Sequence, residues 1–424
     1  MPMYQVLDAP NHFARAWQIS EGKFISPVIE RDGVNYLISE VPSVFMNPKY
    51  TQAEVYSRNT FSFSDFKNLI NTDFNSDDRI IWEISNTGPY SPIVYAPQAL
   101  GAYIARNLGL SAGWIFYIMR LSALLFSVVC MFLAIKIFPE KALLTFVIGV
   151  MPMFLLETGT LTADTVTNCL SILITAFIFS LSRSHEKFTK RQIILLILSA
   201  IVLGLIKNVY GTIMLLFFVI PYERSGTRAR HYILGIVLLA LCLFVSIAWL
   251  YISATRFNAH MAVFEKLTPA DIANQKEFFM QHPLKVLNNI IRELYRQKIH
   301  VIAYFIGISG LMRQWFFAAY AVIIFIAAVS GGMRFKFSSR LLMIAGALIT
   351  ITVTWIYSYL MWFDPAAPEI PGMMHSRYYI PLALMFFSAL TFAPKIKHEN
   401  FTAFFIGLFS IAITLFNLYT YLYL

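Results

Sequence analysis

Ala112-Gly113-Trp114-Ile115-Phe116-Tyr117-Ile118-Met119-Arg120-Leu121-Ser122-Ala123-Leu124-Leu125-Phe126-Ser127-Val128-Val129-Cys130-Met131-Phe132-Leu133-Ala134-Ile135-Lys136 carries a single charge, Arg120, ahead of its last residue. A helix needs about 20 apolar residues to cross roughly 30 Å of hydrocarbon. This run meets that length, and similar apolar runs follow it. Their cores lie at 141–157, 164–182, 191–206, 208–221, 231–254, 312–331, 341–362, 378–393 and 401–422. The pattern predicts an all-α polytopic membrane protein with about ten spans. The pair around Lys207-Asn208 reads either as two short spans with a tight turn or as one broken span.

Composition agrees. Hydrophobic residues make up 58% of the chain and charged residues 13%, against about a quarter charged in soluble proteins. The formal charge is +10. In a soluble protein such a balance points to nucleic acid. Here the basic residues gather in short loops, so topology accounts for them and no nucleic-acid partner is expected. Cys130, Cys169 and Cys242 all sit inside apolar runs. That placement argues against a disulfide framework, and no zinc-type spacing is present.

The basic loops are Ser184–Arg191, Glu223–Arg230, Met333–Arg340 and Pro394–His398. Threading the spans alternately puts all four on one side, which the positive-inside rule makes cytoplasmic. The chain then divides into an extracytoplasmic first loop with interfacial helices (1–110), a first half-bundle (111–254), an extracytoplasmic amphipathic loop (255–311) and a second half-bundle (312–424). Ser85–Pro92 reads as a turn, and Pro97–Arg106 as a helix at the interface. Pro283–Ile291 has the apolar spacing of a helix lying along the outer leaflet. No secretory signal run opens the chain. We therefore expect a transmembrane helix ahead of Met1, with Met1–Val6 as its outer end.

Polar residues near span ends on one side are the candidate site. Leu7-Asp8-Ala9-Pro10-Asn11-His12-Phe13-Ala14-Arg15-Ala16 places an acid, an imidazole and a guanidinium at helical spacing. Glu157 and Asp164 flank a Thr-rich turn. Lys207, Asn208 and Tyr210 form a third group. Asp364, Glu369, His375, Arg377 and Tyr378 form a fourth. Asp8 has the chemistry of a general base. Arg15, Lys207 and Arg377 have that of phosphate contacts, Arg through its fork. His12 is suited to orient Asp8 or to bind phosphate. Each has a plainer reading beside it. Asp8 and Asp164 fit helix caps, Arg377-Tyr378-Tyr379 an interface anchor, Lys207 a snorkelling side chain, and Arg120 a core ion pair. A divalent cation on Asp8 and Asp164 would suit carboxylate oxygens, but nothing in the sequence selects for it or for any other cofactor. No nucleotide-binding glycine motif is present.

Four stretches carry a resemblance. Asp8-Ala9-Pro10-Asn11-His12-Phe13-Ala14-Arg15-Ala16, with Gly22 after it, follows an Asp-Glu-Pro-x-His-Phe-x-Arg-Ala pattern. Tyr90-Ser91-Pro92-Ile93-Val94-Tyr95-Ala96-Pro97 follows Tyr-x-Pro-x-x-Tyr-x-Pro. Pro152 and Thr162-Ala163-Asp164 match a proline followed by a small polar stretch ending Ala-Asp. Ser376-Arg377-Tyr378-Tyr379-Ile380-Pro381 matches Gly-Arg-Tyr-Phe-x-Pro. In this order they resemble a bacterial multi-span membrane family catalogued as a domain of unknown function and related to the GT-C glycosyltransferases. The likeness covers nearly the whole chain. It implies a GT-C-like fold in the bacterial inner membrane. It also implies transfer of a sugar from a polyprenyl-phosphate donor to a cell-envelope glycan, lipid or protein on the extracytoplasmic face. Asp8 would be the catalytic acid of the first loop. His12, Arg15, Lys207, Arg377 and Tyr378 would contact the donor phosphate, and Asp164 and Glu157 would support the acceptor or an ion. The family helix ahead of the first motif agrees with the topology above. Ala9 replaces the family Glu, and Ser376 replaces a Gly. A transporter or flippase of lipid-linked glycans, a glycan polymerase and a non-catalytic assembly protein are the alternatives.

Overall fold

The structure, a computed structural model, describes residues 8–46, 63–259, 269–307, 312–361, 376–392 and 394–423. Met1–Val6, together with Asp364, Glu369 and His375, lie outside them.

Among the described residues, five helices are long and apolar enough to cross a membrane: Ala112–Ile137, Asp164–Leu181, Arg228–Phe257, Phe337–Leu360 and Glu399–Asn417. Counting a bent pair as one span makes six. That pair, Pro139–Gly149 and Pro152–Thr158, turns by 73° at its break, because Pro152 has no N–H to continue the first helix. The remaining expected spans are shorter elements. Lys190–Leu205 and Gln314–Val329 have 16 residues each, or about 24 Å of helix. Asn208–Val219 is wound as a 3-10 helix of 12 residues, about 24 Å at its longer rise. The expected span 378–393 splits into a 3-10 helix, Ser376–Leu382, with Pro381 inside it, and a short α-helix, Ala383–Ser388.

The first region departs from the all-α expectation. Among the described residues it holds three antiparallel strands, β1 (Val28–Arg31), β2 (Val34–Pro42) and β3 (Arg79–Glu83), in the order β1-β2-β3. Asp32-Gly33 joins β1 to β2 with φ of 52° and 75°. Two positive-φ residues of this type make the tight turn whose twist suits a hairpin. That local signal outweighs the helical pattern of the rest of the chain.

Helix α1 (Ala9–Ser20) packs between this sheet and the first span. Phe13 is fully buried, its ring centroid 4.7 Å from Phe45 and 5.8 Å from Phe116. Trp17 is also fully buried, 5.3 Å from Phe45. Each such side chain contributes about 1.5–3 kcal/mol by leaving water. Glu21, just past the helix end, accepts hydrogen bonds from both terminal nitrogens of Arg79, which ties α1 to β3. Helix α2 (Ala96–Asn107) lies where the sequence places an interfacial helix. It packs on the first span so closely that Gly101 leaves no room for a Cβ. One built there would lie 2.9 Å from the Ile118 carbonyl oxygen.

The loops rich in basic residues meet at one end of the bundle. Arg183 donates to Glu140 at 3.1 Å, Lys395 to the Pro139 carbonyl at 2.7 Å, Arg340 to the Thr391 carbonyl at 2.7 Å, and Arg224 to the Leu181 carbonyl at 2.8 Å. The helix Asp164–Leu181 ends here. Its first residue lies about 27 Å away at 1.5 Å per residue, at the opposite end of the bundle.

Candidate functional site

A cavity of about 250 Å³ opens at that end, and Asp8, His12, Asp164, Lys207, Arg377 and Tyr378 all line it. Five separate parts of the chain thus supply one wall. The start of α1 brings Asp8 and His12. The turn after β3 brings Asn86 and Tyr90. Asp164 opens its helix, and Lys207 links Lys190–Leu205 to the 3-10 helix Asn208–Val219. Arg377 and Tyr378 open the 3-10 helix Ser376–Leu382.

Asp8 precedes α1 in the N-cap position but makes no capping bond from its side chain. A capping residue normally takes the extended region, from which its oxygen reaches the N2 or N3 amide. Asp8 sits instead at φ 60°, ψ 10°, and its carboxylate turns to the cavity. The capping explanation for Asp8 therefore fails. Burial raises the Asp8 carboxyl above its ordinary value. The charges of Arg377 and Lys207 pull it back, and Asp164 adds to the rise.

His12 lies one turn along, with Nδ1 2.7 Å from the Tyr95 hydroxyl. Burial pushes its imidazole down to about 3, so at neutral pH it brings polarity to the wall and no positive charge. Arg15, the third member of the motif, does not line the cavity. It is fully buried, and its terminal guanidinium nitrogens donate to Gln18, to the Phe24 carbonyl at 2.7 Å and to the Tyr90 carbonyl at 3.0 Å. It holds the turn after β3 against α1.

The other charges form a chain. Lys207 Nζ pairs with Asp164 Oδ1 and lies 4.4 Å from the Tyr378 ring centroid and 5.4 Å from that of Tyr90, a cation–π arrangement. Lys207 is largely enclosed, its side chain 14% exposed, rather than extended to the surface. Asp164 occupies the first helical position and makes no cap either. Its second oxygen is 3.8 Å from Arg377 Nε, and Glu157 Oε1 is 4.0 Å away on the other side. Arg377 Nε makes no hydrogen bond among the described residues. Arg377 is thus held mainly by charge, with Nη2 3.5 Å from the Tyr378 hydroxyl, and Lys207 by its pair with Asp164. Glu157 does not line the cavity. It is buried behind Arg377 and accepts from Asn168 at 2.6 Å. Arg120 donates to the Gly159 carbonyl at 2.5 Å and so steadies the turn between these two acids.

Two bonds close the rim. The Tyr210 hydroxyl donates to the Tyr378 carbonyl at 2.8 Å. Trp249 Nε1 donates to the Pro89 carbonyl at 2.8 Å. Trp249, Thr354, Tyr357 and Ser358 were not among the candidates from sequence, yet all line the cavity. Thr354, Tyr357 and Ser358 share helical i, i+3, i+4 spacing within an apolar span, and that polar stripe was the available signal. From sequence Asn86 reads only as part of a turn, and Tyr90 as part of that turn and of the Tyr-x-Pro-x-x-Tyr-x-Pro segment.

The donor set does not suit a divalent cation on Asp8 and Asp164. Asp164 already faces two cationic side chains, and no three metal-ligating side chains converge among the described residues.

A multi-span helical bundle with a charged cavity at one end defines an integral membrane protein embedded in a lipid bilayer. The chain belongs to the DUF2142 family of predicted membrane proteins, whose family model matches residues 1–386. No curated protein and no solved structure matches it.

Proposed function

We propose that this protein is a GT-C-type glycosyltransferase of the bacterial inner membrane. In this reading the shorter helices also span, which gives about ten crossings. The basic loops mark the cytoplasmic side and the cavity opens to the extracytoplasmic face. The donor is a polyprenyl-phosphate-linked sugar, and the acceptor is a cell-envelope glycan, lipid or protein.

The observation that carries this reading is the convergence in one cavity of an uncapped carboxylate, Asp8, with the cations Lys207 and Arg377. Asp8 takes the proton from the acceptor hydroxyl as that oxygen bonds to the anomeric carbon. The bond from this carbon to the donor phosphate oxygen breaks, and the electron pair leaves with the phosphate. Arg377 donates to that oxygen as its charge grows, and Lys207 adds positive potential while fixed by Asp164. Glu157 sets the place of Arg377 from behind. The rings of Tyr90, Trp249, Tyr357 and Tyr378 offer flat faces and hydroxyls suited to a sugar.

The test is turnover of a polyprenyl-phosphate sugar by purified protein in bilayer discs. Asp8→Asn is expected to lower it by about 10²-fold or more without lowering the midpoint of thermal unfolding. Undiminished turnover in Asp8→Asn would end the assignment.

One observation favours a second reading, a flippase or transporter of lipid-linked glycans. The break before Pro152 and the 3-10 helix after Lys207 are discontinuities of the kind transporters place at their binding sites. Movement of a lipid-linked glycan across proteoliposomes, retained in Asp8→Asn, would select it.

A further inference from the structure

Trp82 on β3 donates from Nε1 to Asn11 Oδ1 at 2.7 Å. Asn11 Nδ2 donates in turn to Asn86 Oδ1 at 2.7 Å. An indole N–H is a donor only. It requires the oxygen of the Asn11 amide and leaves the nitrogen for Asn86. That nitrogen requires the Asn86 oxygen. What remains to Asn86 is its NH₂ group, and Asp8 is the carboxylate beside it in the cavity wall. An Asn amide ordinarily has two orientations of similar fit. Here a single donor-only side chain settles both.

We propose that Trp82, Asn11 and Asn86 form a directed amide relay that positions the Asp8 carboxylate and keeps a donor turned to it. The inference deepens the transferase reading and rests on it for the meaning of Asp8. The frame around the relay is rigid. Trp82 is paired with Ser39 on β2, and the Ser39 hydroxyl donates to the Ala14 carbonyl of α1 at 2.9 Å. The Thr87 hydroxyl donates to the Asn11 carbonyl at 3.1 Å. A donor facing Asp8 favours its ionised form, the form a base needs. With the amide reversed, an oxygen would face the carboxylate and favour the protonated acid. The three are positioning residues, and they give the small sheet a role at the cavity.

The test reads Asp8 directly and needs no substrate. The full-length protein in bilayer discs is titrated while the infrared band of the protonated Asp8 carboxyl is followed, assigned by its loss in Asp8→Asn. Trp82→Phe keeps the aromatic body and removes the N–H. Asn11→Ala breaks the relay at its middle and serves if Trp82→Phe does not fold. Each is expected to move the Asp8 midpoint up by about one pH unit, a tenfold change in protonation equilibrium. The other titratable and charged groups lining the cavity, His12, Tyr90, Asp164, Lys207, Tyr210, Tyr357, Arg377 and Tyr378, are the same in all variants. An unmoved midpoint in Trp82→Phe and Asn11→Ala overturns the relay. A moved midpoint together with full turnover in Asp8→Asn upholds the relay and removes the transferase reading instead.

Discussion

Asp8 and His12 sit one helical turn apart, yet burial acts on them in opposite directions. It disfavours the charged form of each, so it raises an acid and lowers a base. The Asp8 carboxyl lies above its ordinary 3.8. If Asp8 works ionised, turnover falls as pH drops through this raised value. The acid limb of the pH–rate profile then lies above pH 3.8, and His12→Gln leaves that limb where it is. His12 titrates near 6.5 unfolded and at about 3 folded. Between those values the unfolded chain binds the extra proton, so acidification lowers stability. Thermal unfolding followed from pH 7 to pH 4 is expected to show a declining midpoint, with a shallower decline in His12→Gln. An equal slope in both proteins would mean that the imidazole is not buried as described. Asp8 contributes with the opposite sign. Its folded value is raised, so its ionisation lowers stability as pH rises through that value.

Among the elements, glycines mark two different constraints. Gly33 has φ 75° and no atom within 4 Å of a built Cβ. Its replacement meets only a conformational cost, and Gly33→Ala should lower stability by about 1–2 kcal/mol without altering the cavity. Gly101 is the reverse case. Its backbone is ordinary, but a Cβ would meet Ser122 Oγ at 2.6 Å and Met119 Cα at 2.9 Å. Gly101→Val should therefore push α2 off the first span. Cysteines placed at Ala102 and Met119, both fully buried, should become accessible to a thiol reagent in the Gly101→Val background and stay protected without it. Protection in both would refute the close packing of these two helices.

At the scale of the whole molecule, the Lys207–Asp164 pair joins two helices distant in sequence, and Arg377 reaches the same carboxylate from a third. Removing one member of a buried pair leaves an uncompensated charge and costs about 3–5 kcal/mol. Lys207→Ala is expected near the low end of that range, because Arg377 remains 3.8 Å from Asp164. Adding Asp164→Asn should recover most of the loss. A double-mutant cycle by thermal unfolding measures this, and simple additivity of the two changes would show that the pair is not coupled.

The apolar runs, the basic loops between them and the polar character of the first region are local properties of the chain. Hydropathy over a window about the length of a span reports them directly, so the membrane class was legible in residues such as 112–136. The strands were missed although Asp32-Gly33 marks their turn, because the first region reads from sequence only as a polar loop with interfacial helices. Position near span ends on one side marked Asp8, Asp164, Lys207 and Arg377 as candidates, but it could not bring them together. That depended on how helices far apart in sequence pack. Packing also decided which arginine faces the cavity: Arg15 turns inward to carbonyls, while Arg377 lies in the cavity wall between two carboxylates. Sequence determines the stock of charges and the elements that carry them. Tertiary structure alone decides which charges are neutralised by neighbours and which are left to do chemistry, since that balance is set by distances of a few ångströms between residues that the chain itself holds far apart.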